Sequence, residues 1–228
     1  MSPNYKSQLE EAGEIVEAIS YALPTTISGK FAIELMRDEG SRNWKQMEWI
    51  GFWFEHVVES RVIPTTGGAV GPTYGRTRFD FQRKHVWDLK VHLDSSDWLI
   101  LNDQEATRSC IEENDGMGFF VVSGAAEFDS NGAFKSWHDA LKGGTSQYES
   151  ERIERGAVSR RRKIAFIPQT IDAYWLPDET VIITGVSEGW IKDFQTGMRN
   201  SNGVARRSKF QVSPSRIPSK FRLIESHL

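Results

Sequence analysis

The stretch from Arg76 to Leu93 constrains the fold of this chain most, because it joins two β-rich segments by a short polar link. Thr77–Phe81 and His85–Leu93 are rich in β-branched and aromatic residues, and Gln82-Arg83-Lys84 separates them. This pattern predicts a β-hairpin, although the link lacks the Asn-Gly or Asp-Gly pair that favours the tightest turns. We therefore expect the fold to be organised around this hairpin.

Acidic and basic side chains would meet on one side of the hairpin. Successive strand residues point to opposite faces, so Asp88 and Lys90 share a face of the second strand. Asp80 lies on the first strand, and strand pairing would bring it beside Asp88. Two carboxylates about 4 Å apart repel each other by roughly 4 kcal/mol at an effective dielectric constant of roughly 20. Such a site favours a divalent cation, and oxygen ligands favour Mg²⁺, with Mn²⁺ as a substitute.

The composition limits where the chain works and what it binds. It has no run of about 18 apolar residues, and its N-terminus lacks the basic start and apolar run of a signal peptide. Cys110 is the single cysteine, so an intrachain disulfide is excluded, and we expect a cytoplasmic protein with no membrane contact. Residues 151–228 have a net charge of +6 and residues 1–150 a net charge of −9. This asymmetry fits a protein that gathers metal with one part and phosphate with the other, and ordinary charge scatter is the alternative.

A second informative stretch is Asn43–Ser60, where apolar side chains on nearly every side predict a largely buried helix. Glu55 lies within it, and a buried carboxylate needs a cation because desolvation costs roughly several kcal/mol. That cation could be a metal, or an arginine such as Arg61 or Arg78, and the sequence leaves both readings open. We expect His56, which follows Glu55, to be a packed and hydrogen-bonded core residue.

Periodicity and capping signals predict the other elements. Helices are expected at Tyr5–Leu23 (with an acidic, solvated side), at Lys30–Asp38, from an N-cap at Asn102 to about Asn114, and within Asp129–Lys142. Strands are expected at Met117–Phe128, Lys163–Pro168 and Glu179–Ser187. Pro64–Gly75 is interpreted as a connecting loop. The predicted fold is α/β (α+β), a central mixed β-sheet flanked by helices in one domain over residues 1–228. Its core is expected at about 43–142, followed by a basic, β-rich C-terminal appendage at 143–228.

The order of these features resembles the PD-(D/E)xK nuclease fold. A helix, antiparallel strands that carry D…(D/E)-x-K, a crossover helix and a further strand would occupy about residues 43–128. Asp80 matches the first acid, Asp88 the second and Lys90 the lysine, and Glu55 matches the helical glutamate that many members carry. The chain contains only one acid-x-Lys triplet, which begins at Asp88. Phe79 stands where the family loosely keeps a proline.

Within this fold the chain resembles a type II restriction endonuclease, which implies Mg²⁺-dependent, sequence-specific cleavage of double-stranded DNA. The resemblance implies that Asp80, Asp88, the Leu89 carbonyl and Glu55 hold the metal. It also implies that Lys90 positions the attacking water and stabilises the transition state. A repair nicking enzyme or junction-cutting resolvase of the same fold is the first alternative, and a non-catalytic DNA-binding protein is the second.

Two basic clusters are candidates for DNA contact, since Lys and Arg bind phosphates and guanine edges. The first cluster is Arg160, Arg161, Arg162 and Lys163, and the second is Arg206, Arg207 and Lys209. Each cluster could equally be a solvated basic surface. Because a palindromic site is most simply matched by a two-fold symmetric protein, we expect a homodimer.

Overall fold

Two long antiparallel strands, β6 (Met117–Phe128) and β7 (Lys163–Leu176), form the centre of the molecule in the computed structural model. The structure describes residues 5–72, 79–145, 147–157, 161–199 and 203–228. The helices are α1 (Lys6–Ala22), α2 (Gly29–Asp38), α3 (Trp49–Val57), α4 (Ile63–Thr66), α5 (Gln104–Glu113), α6 (Ala133–Leu141), α7 (Gln147–Glu154) and α8 (Glu179–Glu188). The other strands are β1 (Ile27–Ser28), β2 (Ala69–Val70), β3 (Phe81–Gln82), β4 (Val86–Leu93), β5 (Leu99–Asp103), β8 (Ile191–Phe194), β9 (Lys209–Val212) and β10 (Arg222–His227).

The main sheet is mixed, as expected from the sequence. Its strand order is β1-β7-β6-β4-β3-β2, and β10 also pairs with β7. β4 and β6 are parallel and are connected through β5 and α5, whereas the other neighbours in this sheet are antiparallel. A second, antiparallel sheet has the order β5-β9-β8.

Each face of the main sheet packs against its own hydrophobic core, because alternate residues of β4, β6 and β7 point to opposite sides. Trp87, Phe120 and Trp175 lie in the core that includes residues of α1, α2 and α3. Phe119 and Tyr174 lie in the core that includes residues of α5, α8 and the second sheet. Helices therefore cover the sheet on both faces, as the predicted fold class requires.

Several predicted elements are confirmed, with small shifts at their ends. The helices α1, α2 and α6 and the strand β6 lie where the sequence placed them. The N-cap of α5 is Asp103 and not Asn102, since Asp103 Oδ1 accepts a hydrogen bond from Ala106 N at 2.9 Å. The predicted Asn43–Ser60 helix is divided, because a 3₁₀ turn at Arg42–Lys45 precedes α3 and a π-helical turn at Val58–Val62 follows it.

The prediction of a strand at Glu179–Ser187 is wrong, because this segment forms the helix α8. Its β-branched residues favour a strand, but capping groups at both ends favour the helix. Asp178 accepts a hydrogen bond from Thr180 N at 2.9 Å, and Gly189 ends the helix with φ of 78°. Buried Val181, Ile182 and Gly185 then form one helical face.

The predicted C-terminal appendage is also corrected. β7 pairs with β6 from Met117 to Phe128 and continues to Leu176, eight residues past the expected end at Pro168. Residues 143–228 therefore supply strands to both sheets, including a central strand of the main one. The helix α7, which was not predicted, lies in the polar segment before β7. None of the helices in the described ranges is both long and apolar enough to cross a membrane.

Candidate active site

The three residues of the predicted hairpin motif converge where β3 begins. β3 pairs with β4 only at Phe81/Trp87 and Gln82/Val86, and Asp80 lies one residue before β3. Asp80 continues the contact with β4 through its side chain, because its Oδ2 accepts a hydrogen bond from Leu89 N at 2.9 Å. The amide of Leu89 therefore points to the Asp80 edge, and in an extended strand the carbonyl of the same residue points to that edge as well.

Asp88 and Lys90 lie on one face of β4, as their spacing predicts. Lys90 Nζ is 2.6 Å from Asp88 Oδ2 and 3.8 Å from Asp80 Oδ2. The side chain of Asp88 is only 1% exposed, whereas those of Asp80 and Lys90 are 15% and 18% exposed. A single ammonium group thus lies between two carboxylates at the margin of the core.

The two carboxyl groups have opposite pKa shifts although both contact the same ammonium group. Burial, and then the charge of Asp80, raise the pKa of Asp88 well above its ordinary value. Burial also disfavours charge on Asp80, but Lys90, Asp88 and the Leu89 amide together hold the pKa of Asp80 below its ordinary value. Burial disfavours the charge of Lys90, yet Asp88 and Asp80 hold its pKa above the ordinary value. Lys90 therefore contacts both carboxyl groups, and its charge favours the ionised form of each.

Glu55 of α3 faces the same group. Burial, and then the charge of Asp80, raise its pKa to about 7, while Lys90 opposes the shift. Lys90 is thus a cation that acts on this carboxylate. Arg61 forms no ion pair with it among the described residues, and Arg78 lies outside them. The neighbouring His56 is a buried residue with Nε2 2.6 Å from Glu39 Oε2, as the sequence predicted.

Among the described residues, Asp80 forms an ion pair with Lys90 and not with Arg83 or Lys84 of the hairpin link. Arg83 forms an ion pair with Glu14 of α1. The backbone N–H of Lys84 donates to Glu11 Oε2 at 2.9 Å. The Asp80 carboxylate therefore lies beside Lys90 and not at the solvated end of the hairpin.

Glu11 is a structural residue that the sequence reading missed, since the acidic side of α1 was expected to be solvated. It is 2% exposed, and besides Lys84 N it accepts hydrogen bonds from His85 N at 3.1 Å and Trp87 Nε1 at 2.8 Å. This carboxylate attaches α1 to the hairpin that carries Asp80. The available signal was its position four residues before Ile15, on the margin of the apolar stripe.

Gly71, in the predicted connecting loop, also positions Asp80. Gly71 N donates to Asp80 O at 2.8 Å. A Cβ atom at this position would lie 1.9 Å from the carbonyl oxygen of Phe79, so only glycine allows the two segments to approach this closely. The loop therefore has a packing role beside the site.

A cleft of about 970 Å³ connects this site to the second sheet. Asp80, Asp88, Lys90 and Glu55 line one part of it. Trp98, Ile100, Asn102 and Lys209 of the second-sheet region line another part, and Lys163 also borders the cleft. The site is therefore open to a ligand much larger than an ion.

The residues of the two basic clusters have different surroundings. Lys163 and Lys209 line the cleft, and Lys163 forms an ion pair with Glu48. Arg162 is only 7% exposed, and Arg161 lies over the ring of Phe128 at 5.1 Å. Arg207 is 3.5 Å from Asp103, Arg206 N donates to Met198 O, and Arg160 lies outside the described residues. Within the described ranges, Lys163 and Lys209 are thus the members of the clusters that share a surface with Asp80.

The carboxylates fit a magnesium ion that is completed by other ligands. No three Asp, Glu, His or Cys side chains form a metal-holding group in the described ranges. However, Mg²⁺ is usually held by one or two carboxylates together with water and substrate phosphates. Neither oxygen of Asp88 receives a hydrogen bond of normal geometry from a described donor, despite the short distance to Lys90. A buried carboxylate with unused acceptors beside a second carboxylate has the chemistry of such a partial site.

Comparisons of the chain with protein-family models, curated proteins and solved structures give no match. Any functional interpretation therefore depends on the chemistry and geometry of the chain's own residues.

Proposed function

We propose that the chain is a magnesium-dependent endonuclease that hydrolyses phosphodiester bonds in double-stranded DNA at specific sequences, as a type II restriction enzyme does. The observation that carries this proposal is the convergence of Asp80, Asp88 and Lys90 at the open edge of β4. One lysine within 3.8 Å of two carboxylates, beside a large cleft, is an arrangement suited to phosphoryl transfer.

The order of elements around the site supports the same interpretation. Along the chain, α3 and the short helix α4 precede the antiparallel strands β2, β3 and β4. After β5 of the second sheet come the helix α5 and the strand β6, which is parallel to β4. This is the order implied by the resemblance to PD-(D/E)xK nucleases. The parallel pairing fixes β4 in the sheet, so that Asp88 and Lys90 have a rigid support.

Each residue of the site has a chemical role in this proposal. Asp80, Asp88 and the Leu89 carbonyl would hold Mg²⁺, with Glu55 as a further candidate ligand. The bound ion would neutralise charge on the phosphate and lower the pKa of water. Lys90 stays protonated because two acids surround it, so it can stabilise the negative charge that develops on the phosphoryl group. If Glu55 does not coordinate the ion, its carboxylate, whose pKa burial raises to about 7, can accept a proton from the attacking water near neutral pH.

The proposal extends to the setting of the enzyme. Cys110 is buried and, as the single cysteine of the chain, forms no intrachain disulfide, which fits a reducing cytoplasm. The two-fold symmetry of a palindromic DNA site would match that of a homodimer, in which each copy supplies one active site to one strand.

A cleavage assay tests the proposal directly. The purified chain is incubated with plasmid DNA and long viral DNA in Mg²⁺, Mn²⁺ or EDTA, and the products are separated on a gel. We expect discrete fragments with either metal and no cleavage in EDTA. The variants D88N and K90A should each lose cleavage by at least about 100-fold, because each removes a charge from the reacting centre.

The matched control is D38N, which changes an exposed aspartate of α2 that pairs with neighbouring Arg37. It should cleave as the wild type does. Nicked circles or cut junctions without discrete fragments would replace the restriction assignment by another nuclease of this fold. Absence of cleavage on every DNA substrate, or full activity of D88N and K90A, would overturn the proposal.

A further inference from the structure

The second sheet presents a polar and cationic face beside the proposed active site. Leu99, Val212 and Ile191 form one row across β5, β9 and β8 and are buried in the core. Ile100, Gln211 and Lys192 form the adjacent row, so they point to the opposite side. We call the surface formed by Ile100, Lys192, Lys209, Gln211 and the adjoining Trp98 and Arg216 the outer sheet face.

The outer sheet face borders the same cleft as the proposed catalytic residues. Trp98, Ile100 and Lys209 line the cleft together with Asp80 and Lys90. A substrate that fills the cleft at the catalytic end would therefore extend along this face.

Cations on this face are available to a ligand. Lys192 and Arg216 are exposed, and neither they nor Lys209 form an ion pair with an acid in the described part of the chain. Two acids of the second sheet have partners of their own: Asp193 accepts a hydrogen bond from Gln104 Nε2 at 2.6 Å, and Asp103 lies 3.5 Å from Arg207. Lys209 lines the cleft, and uncompensated cations beside it attract a polyanion.

Trp98 holds two of these cations in place. Lys192 Nζ lies 3.7 Å from the centre of the Trp98 ring, and the guanidinium carbon of Arg216 lies 5.9 Å from it. Cation–π contacts of this kind reduce the freedom of long side chains without neutralising them. Because the ring is covered by cations, it is suited to presenting charge to phosphates more than to stacking on an unpaired base.

We infer that the outer sheet face binds the phosphate backbone of duplex DNA, with Lys192, Lys209 and Arg216 as the phosphate contacts and Trp98 as the residue that positions Lys192 and Arg216. This inference rests on the proposed endonuclease function. It assigns the positioning of the duplex to a sheet formed largely by the C-terminal part of the chain. Gln211, at the centre of the face, is placed to contact a base edge or a sugar.

Fluorescence anisotropy of a labelled duplex, measured in EDTA so that no cleavage occurs, tests the inference. K192A, K209A and R216A should each weaken duplex binding by about 3- to 10-fold. Each should also lower the slope of log affinity against log salt by about 1, because one phosphate contact is lost. W98L should weaken binding although it removes no charge. The same substitutions should weaken the binding of a labelled single strand of the same sequence less than they weaken the binding of the duplex.

The matched control is K30A, which removes a lysine 5.5 Å from the ring of Trp137, outside the residues that line the cleft. Thermal unfolding verifies that every variant is folded. If the wild type cleaves DNA and all four variants bind duplex as tightly as K30A does, the inference is wrong and the proposed function stands. If the wild type binds duplex through this face but never cleaves, only the catalytic proposal fails. If the wild type neither binds nor cleaves DNA, both are overturned.

Discussion

Replacement of Glu11 tests how the hairpin that carries Asp80 is held in position. The Glu11 carboxylate accepts three hydrogen bonds from the hairpin: from Lys84 N at 2.9 Å, His85 N at 3.1 Å and Trp87 Nε1 at 2.8 Å. The substitution E11A removes the acceptor and leaves all three donors without it. A stability loss is therefore expected even though the residue lies on a surface helix.

The magnitude follows from the burial of each donor. Trp87 is fully buried, so its indole N–H would lack any partner at a cost of about 1–3 kcal/mol. Lys84 is exposed and His85 is half-buried, so water can reach their amides, and each loss costs about 1 kcal/mol. We expect E11A to lower the free energy of unfolding by about 3–5 kcal/mol. E11Q should lose less, because its amide oxygen still accepts hydrogen bonds.

Urea denaturation followed by tryptophan fluorescence measures this loss, with E10A as the matched control. Glu10 is the preceding residue of α1, is 59% exposed in its side chain, and pairs only with Lys6 at 3.8 Å in the described residues. E10A should therefore change the free energy of unfolding by less than about 0.5 kcal/mol. If E11A and E10A have the same stability, Glu11 does not anchor the hairpin and the reasoning is refuted.

Three further predictions concern other parts of the fold. G71A should lower cleavage by at least about 10-fold and stability by about 1–3 kcal/mol, because its Cβ would lie 1.9 Å from the Phe79 carbonyl oxygen; wild-type activity would contradict the close approach. Burial raises the pKa of Asp172 to about 6, so the folded state keeps a proton that the unfolded state loses from about pH 4 upwards, and stability falls as the pH rises to 6. D172N should abolish this fall. In urea titrations its free energy of unfolding should exceed that of the wild type by about 1–2 kcal/mol at about pH 8 but should equal it at about pH 4. If the free energies of unfolding of the two proteins change in parallel with pH, the pKa of Asp172 is not raised. D178A should destabilise α8 by about 1 kcal/mol and speed amide exchange there, because Thr180 N loses its acceptor; unchanged exchange would contradict the cap.

Local patterns in the sequence were sufficient to predict those elements whose burial follows from their own residues. The apolar run from Met117 to Phe128 is long enough to predict a buried strand, and the structure places β6 at the same residues. The alternation of side chains likewise placed Asp88 and Lys90 on one face of β4. Their partner Asp80 was placed correctly beside them, although it lies just outside β3.

Contacts between distant parts of the chain determined structural features that local patterns could not predict. The β-branched segment of α8 predicts a strand, and only its caps and its packing in the second core favour a helix. Glu11 lies on the margin of the apolar stripe of α1, but this position alone does not predict burial of the carboxylate. It becomes buried because the hairpin, more than 70 residues away along the chain, supplies its donors.

The sequence by itself determined the chemistry of the candidate site, since the period of a strand sets which side chains share a face. Tertiary structure decided what surrounds that site. β7 enters the centre of the main sheet, and the second sheet brings Lys209 and Trp98 to the same cleft as Asp80. These placements depend on pairing between strands far apart in the chain, and no local residue pattern encodes such pairing.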